Sequence, residues 1–273
     1  MMKRTLLVLT AAALTLAGCY TNPVTGRKSL VLLSQGEELT LGAESFAEVR
    51  QKEKISGDAA ANARVQRVGQ RIAQAVGSEL PDAKWEFVVF ESKDVNAFAL
   101  PGGKVGVYTG LLQLAENDAE LATVMGHEIG HVIARHGAER MSEAVVLQGV
   151  GQLAATAVEA KTDPQKRQLF ETAYGGAATL GRVLPHSRAN ESEADRMGAT
   201  YAARAGYDPR AAISFWKKMM AHSQSTAKAG APTGGRLGEL LSTHPTDQKR
   251  IQDLQAMMPS VVPLYEQNRN KGP

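Results

Sequence analysis

The chain has a single cysteine, Cys19, in 273 residues, so no internal disulfide can form and the thiol is either free or modified. Aromatic residues make up only 5% of the sequence, and no basic run interleaves with them, which argues against a nucleic-acid partner. An excess of charge of either sign is also lacking, with 31 Lys and Arg against 28 Asp and Glu. The formal net charge is +3, and Lys3 and Arg4 supply two of those charges, so the remainder is near neutral. Long apolar runs are missing too. Thr5–Leu16 is too short to span a hydrocarbon layer of about 30 Å. Ala144–Val158 is interrupted by Gln148, Gln152 and two glycines and flanked by Glu143 and Glu159, the pattern of a buried or interfacial helix.

What is present begins with a targeting pattern. Lys3-Arg4 give a positive start, Thr5–Leu16 an apolar core, and Ala17-Gly18 small residues before Cys19. Leu16-Ala17-Gly18-Cys19 resembles a bacterial lipobox, in which cleavage precedes a cysteine that is then acylated. That resemblance implies a signal peptide over 1–18, a lipidated tether over 19–36 and membrane attachment through Cys19. Several acyl chains anchor stably where one is marginal. Tyr20 stands where an aspartate would mark inner-membrane retention, so the implied location is the bacterial cell envelope, at the periplasmic face of the outer membrane. The length suits one domain of roughly 200–250 residues, placed at 37–262 with a tail at 263–273.

Periodicity organises the rest. Residues 37–77 read as helical, with Val65, Val68, Ile72 and Val76 at helix spacing and Gly77 as a cap. Leu30–Leu33, Trp85–Val89 and Val105–Val107 read as strands, the last following the turn signal Pro101-Gly102-Gly103. Asn117–His136 is the best-defined helix, with a capping box between Asn117 and Glu120 and a stop at Gly137. Further helices are expected near 139–160, 164–180, 188–205, 210–222 and 246–257, with a Ser, Ala, Gly and Pro-rich loop over 223–238.

The helix over 117–136 carries the chemistry. His127 and His131 lie about 40° apart around its axis, so one ion can take both rings. Glu128 can sit beside that ion without ligating it and take a proton from water. A third protein ligand is required, and Glu191 and Asp195, four residues apart, share a face of a later helix. One of them can ligate while the other orients a ligand histidine. Glu193 lies on the far side of that helix, and His136, about 140° around from His131, faces elsewhere. His136 and His222 are given no role, and His186 reads as a surface or cap histidine.

Five segments occur in family order: Asn22-Pro23-Val24-Thr25-Gly26-Arg27, Asn96–Gly103, His127–His131, Ser187-Arg188-x-x-Glu191-x-Glu193-Ala194-Asp195, and His244-Pro245. Together they resemble the M48 family of zinc metallopeptidases over nearly the whole mature chain. The resemblance implies a zincin-like α+β fold, predominantly helical, with a small sheet beside the histidine helix. It implies one Zn²⁺ per chain held by His127, His131 and Glu191, with Glu128 as general base and Asp195 behind a ligand. It also brings His244 to the active site, where it either stabilises the oxyanion or takes zinc's open position when substrate is absent. Arg250 would orient that loop or assist the oxyanion. Asn96, Ala97, Phe98 and Ala99 form the expected substrate edge, since zincins bind peptides as an added strand. Substrates by this resemblance are unfolded or misassembled envelope proteins; the rival is a chaperone or assembly factor that rarely cuts.

Overall fold

A computed structural model describes residues 19–147, 187–228, 244 and 248–270. Two short strands, β1 (Cys19–Thr21) and β2 (Lys28–Leu30), pair antiparallel. Within the stretch expected as a lipidated tether, residues 19–30 fold as a hairpin. Its turn is held locally, with Asn22 Oδ1 accepting from the Val24 amide at 2.9 Å.

The expected helix over 37–77 is two helices, α1 (Gln35–Lys52) and α2 (Ala59–Val76). The break has a local cause: Ile55 forms a bridge to Phe90, the Ser56 amide bonds Val89 O, and Asp58 caps α2 through the amides of Ala60 and Ala61. Gly77 closes α2 at φ 54°, a conformation that favours glycine.

Among the described residues the main sheet has three strands, β3 (Glu86–Phe90), β4 (Ala97–Leu100) and β5 (Lys104–Tyr108), in spatial order β3-β5-β4. β3 pairs parallel with β5, and β4 pairs antiparallel with β5, leaving β4 at one edge. Both faces are covered, so Val88 and Phe90 are as buried as Phe87 and Val89. Phe87, Val89, Val105 and Val107 join α2 and the histidine helix in the larger core, while Val88, Phe90 and Phe98 pack on Leu41, Phe46 and Val49 of α1.

After the short α3 (Thr109–Leu114) comes α4 (Asp118–Ile133), the histidine helix. Asn117 caps it by accepting from the Glu120 amide at 3.0 Å, but Glu120 returns its carboxylate to the Glu116 amide, so the box is not reciprocal. The helix ends earlier than expected. Arg135, not Gly137, takes the positive φ of 56°, held by Glu38 and by Leu33 O. α5 (His136–Leu147) starts at once; the rest of the helix expected to 160, the one over 164–180 and His186 lie outside the described residues.

α6 (Arg188–Arg204) matches its expectation, whereas α7 (Ala211–Lys228) runs into the segment expected as a loop, whose residues 229–238 are not described. α8 (Gln248–Asn268) continues through Pro259 and Pro263 well past 257, into the expected tail, with Val261 buried against the body. No described helix is long and apolar enough to cross a membrane.

Candidate metal centre

The site is made where α4 and α6 cross with their backbones nearly touching. A Cβ on Gly198 would sit 2.7 Å from the His127 amide nitrogen, and one on Gly126 would lie 3.0 Å from Gly198 O. Only glycine at these positions lets the axes approach so closely. The close crossing brings Glu191 and Asp195 of α6 against His127 and His131 of α4.

Ligand-type atoms of His127, His131, Glu191 and His244 all lie within 4.8 Å of one another, and all four residues are buried. His127 Nε2 and His131 Nε2 are 3.1 Å apart, and each is 3.4 Å from a Glu191 oxygen. His244 Nδ1 lies 3.3 Å from His127 Nε2 and 3.0 Å from Glu191 Oε1. Four ligands at about 2.0–2.1 Å around a tetrahedral zinc stand about 3.3 Å from each other, so the donor set fits that ion in number, chemistry and spacing.

Electrostatics agree with the fit. Glu128 Oε1 is buried without a hydrogen bond, a costly state unless a cation or substrate is to meet it, and Glu191 Oε2 meets Arg250 Nη1 at 2.9 Å as an ion pair without hydrogen-bond alignment. Burial disfavours a charged His127, yet Asp195 and Glu191 outweigh it and raise its pKa to about 9: the pocket attracts positive charge. Burial drives His131 well below its ordinary value. Glu191 stays well below the carboxylate range despite its burial, because His244, His127 and His131 face it.

Around this cluster, Asp195 Oδ1 is 2.9 Å from His127 Nδ1, at contact distance but without hydrogen-bond alignment. Arg250 grips Asp195 through Nε and Nη2, both at 2.7 Å, and sets Nη1 2.9 Å from Glu191 Oε2. Its guanidinium lies over Trp216, 4.2 Å from the ring centroid, and is 3% exposed. So placed, Arg250 neutralises two buried carboxylates. Glu128, next to His127 on α4, is 5% exposed, and burial pushes its carboxyl pKa up, which suits a group that must accept a proton. Its Oε1 is 3.6 Å from His244 Nε2.

The side chains of Asn96, Ala97, Phe98 and Ala99 are all buried; the Asn96 carbonyl takes the Tyr108 amide at 3.0 Å, and the other three lie in edge strand β4, which packs along α4. Cys19, at the start of β1, is exposed. Two histidine expectations part company with the structure or leave it. The side chain of His222 is outside the described residues. His136 does not face away: its Nδ1 is 2.8 Å from His131 Nδ1 and its Nε2 is 2.9 Å from Glu193 Oε2. Helical geometry fails as a guide here because the helix breaks at Arg135, between the two histidines. Glu193 is on the far side of α6 as expected, but it is buried and bonded to the hairpin, a contact no local spacing reveals. Trp216, edge-on to His127 at 5.3 Å, is a further neighbour that the sequence did not single out.

Residues 59–258 match the family model for peptidase family M48. The chain is 29% identical to mitochondrial metalloendopeptidase OMA1 of Saccharomyces cerevisiae, over 94% of this chain and 76% of that protein. It is 31% identical to metalloendopeptidase OMA1, mitochondrial, of Bos taurus, over 90% of this chain and 47% of the other. It is 28% identical to the beta-barrel assembly-enhancing protease of Escherichia coli, over 91% and 49% respectively. The chain thus spans about half the length of the cattle and bacterial relatives. These likenesses overturn the location expected from residues 1–19: proteins named as mitochondrial, from two yeasts, a plant and cattle, match it, so an outer-membrane place in a bacterial envelope does not stand. Because the matched span takes in every residue of the buried cluster, the chain belongs to peptidase family M48, whose members are zinc metallopeptidases.

Proposed function

We propose that the chain is an endopeptidase that cuts unfolded or misassembled proteins and rests in a latent form until substrate enters. The observation that carries the first half is the convergence of His127, His131 and Glu191 on one buried point with Glu128 beside it. When bound there, zinc would polarise the scissile carbonyl and acidify water. Glu128 then takes the water's proton and returns it to the leaving amine, its raised pKa matching the task. Asp195 steadies the His127 ring, and Arg250 balances Asp195 and Glu191 so that the donors stay ionised without further protons. The edge strand β4, with Asn96, Ala97, Phe98 and Ala99, is the proposed rail for the peptide backbone. Backbone pairing makes little demand on sequence, which suits unfolded clients.

The place of His244 supports latency. Its ring completes the donor set, so it occupies the position a substrate carbonyl needs. A resting enzyme of this kind can also hold unfolded clients without cutting them, and the E. coli relative, named an assembly-enhancing protease, joins both ideas in its name. Cys19, exposed and outside any disulfide, is the proposed attachment point for lipid, to be read from the intact mass of the processed protein.

Digestion of unfolded casein by wild type and Glu128→Gln, with zinc measured in both, tests the enzyme. The variant should keep its metal and lose about 10²–10⁴-fold in rate. Equal rates at equal zinc would remove Glu128 from the chemistry.

A further inference from the structure

A histidine that binds a metal through one ring nitrogen is oriented by what its other N–H meets. For His127 that neighbour is a carboxylate, Asp195. For His131 it is another imidazole, His136, with the two Nδ1 atoms 2.8 Å apart. His136 is fully buried and its Nε2 lies 2.9 Å from Glu193 Oε2. An ionised carboxylate only accepts, so His136 carries its hydrogen on Nε2 and presents a lone pair at Nδ1. His131 must then donate from Nδ1, which leaves the lone pair of its Nε2 pointing at His127 and Glu191. One order of hydrogens satisfies every atom in the row, and it is the order a metal donor needs.

Glu193 is fixed in turn from the N-terminal hairpin. Asn22 Nδ2 donates to its Oε1 at 2.8 Å, and Thr25 Oγ1 and Arg27 Nε also donate to its two oxygens. Arg27 extends the grip to α5, bonding Glu139 through Nη1 and Nη2 at 2.7 and 2.8 Å. Asn22 is 2% exposed and its bond to Glu193 is interior, while Thr25 and Arg27 reach the carboxylate from the half-buried turn, and the three donors together keep Glu193 an acceptor.

We propose that His136 and Glu193 are positioning residues that fix His131 as a metal donor, and that the hairpin turn Asn22–Arg27 sets this relay through Glu193. The inference rests on His131 binding zinc. It assigns a role to the Asn22–Arg27 segment that the peptidase chemistry itself does not require: the hairpin turn is joined by hydrogen bonds, through Glu193 and His136, to the ring of His131.

The test is the zinc dissociation constant of the full chain by chelator competition, together with the visible spectrum of the cobalt-substituted protein. His136→Ala should weaken zinc about 10–100-fold and shift the cobalt bands. His136→Asn places an amide oxygen where Nδ1 stood, so it can accept the His131 N–H and should recover most of the affinity. Arg27→Ala should weaken zinc at least about twofold in the wild-type background. It should do nothing in His136→Asn, where the link to Glu193 is cut. Affinity and spectrum unchanged in His136→Ala would overturn the relay, and an equal effect of Arg27→Ala in both backgrounds would overturn the hairpin's part in it. Should His136→Ala fail to fold, the asparagine background with and without Arg27→Ala still decides. A wild-type chain that binds no zinc would instead overturn the metal reading beneath it.

Discussion

His244 stands 3.0 Å from Glu191 Oε1 and 3.6 Å from Glu128 Oε1, between the carboxylate that would ligate and the one that would act as base. On the latency proposed above, an imidazole in that place keeps out the carbonyl of a peptide, and its removal should release the enzyme. His244→Ala is expected to keep zinc through His127, His131 and Glu191 and to cut casein faster than wild type. A fall in rate with KM unchanged would instead make His244 a transition-state donor. The sequence carried much of this residue-level picture. A four-residue step inside one helix is purely local, so His127, Glu128 and His131 were legible, as was the Glu191–Asp195 face. His136 was not, since counting degrees around a helix assumes that the helix continues, and it stops at Arg135.

Two helices, α4 and α6, bring the donors together, and the distance between their axes sets the reach of every ligand. Gly198 lies at the tightest point, with room for no more than hydrogen against the His127 backbone. Gly198→Ala must push α6 outward, and overpacking of this sort costs about 1–3 kcal/mol. The denaturant midpoint should drop by that amount, and zinc content should fall with it, because Glu191 moves with the helix. An unchanged midpoint and full zinc would mean that the crossing has slack the structure does not show. At this scale a repeating pattern is legible in the sequence, and an end set by distant contacts is not. The core spacing of α2 and the extent of α6 were visible. The break between α1 and α2 depends on Ile55 pairing with Phe90, far along the chain, and α8 passes Pro259 and Pro263 because packing at Val261 outweighs two lost backbone bonds.

For the whole molecule, the metal is a tie between parts distant in sequence. α4 supplies His127 and His131, α6 supplies Glu191, and His244 precedes α8, whose Arg250 returns to Glu191 and Asp195. The sheet and α1 lie outside this tie, with their own core of Phe46, Phe90 and Phe98. A ligand bound only by the folded state stabilises it as RT ln(1 + [L]/Kd). Free zinc at a thousand times Kd therefore adds about 4 kcal/mol, or about 8–16 °C in Tm for a domain of this size. Calorimetry of the full chain in chelator and in zinc should show that rise. His127→Ala, which removes a donor from the centre of the cluster, should lose most of it. Were wild type to melt at one temperature in both conditions, the four residues would be neighbours without an ion to join them, and the peptidase chemistry would lose its foundation.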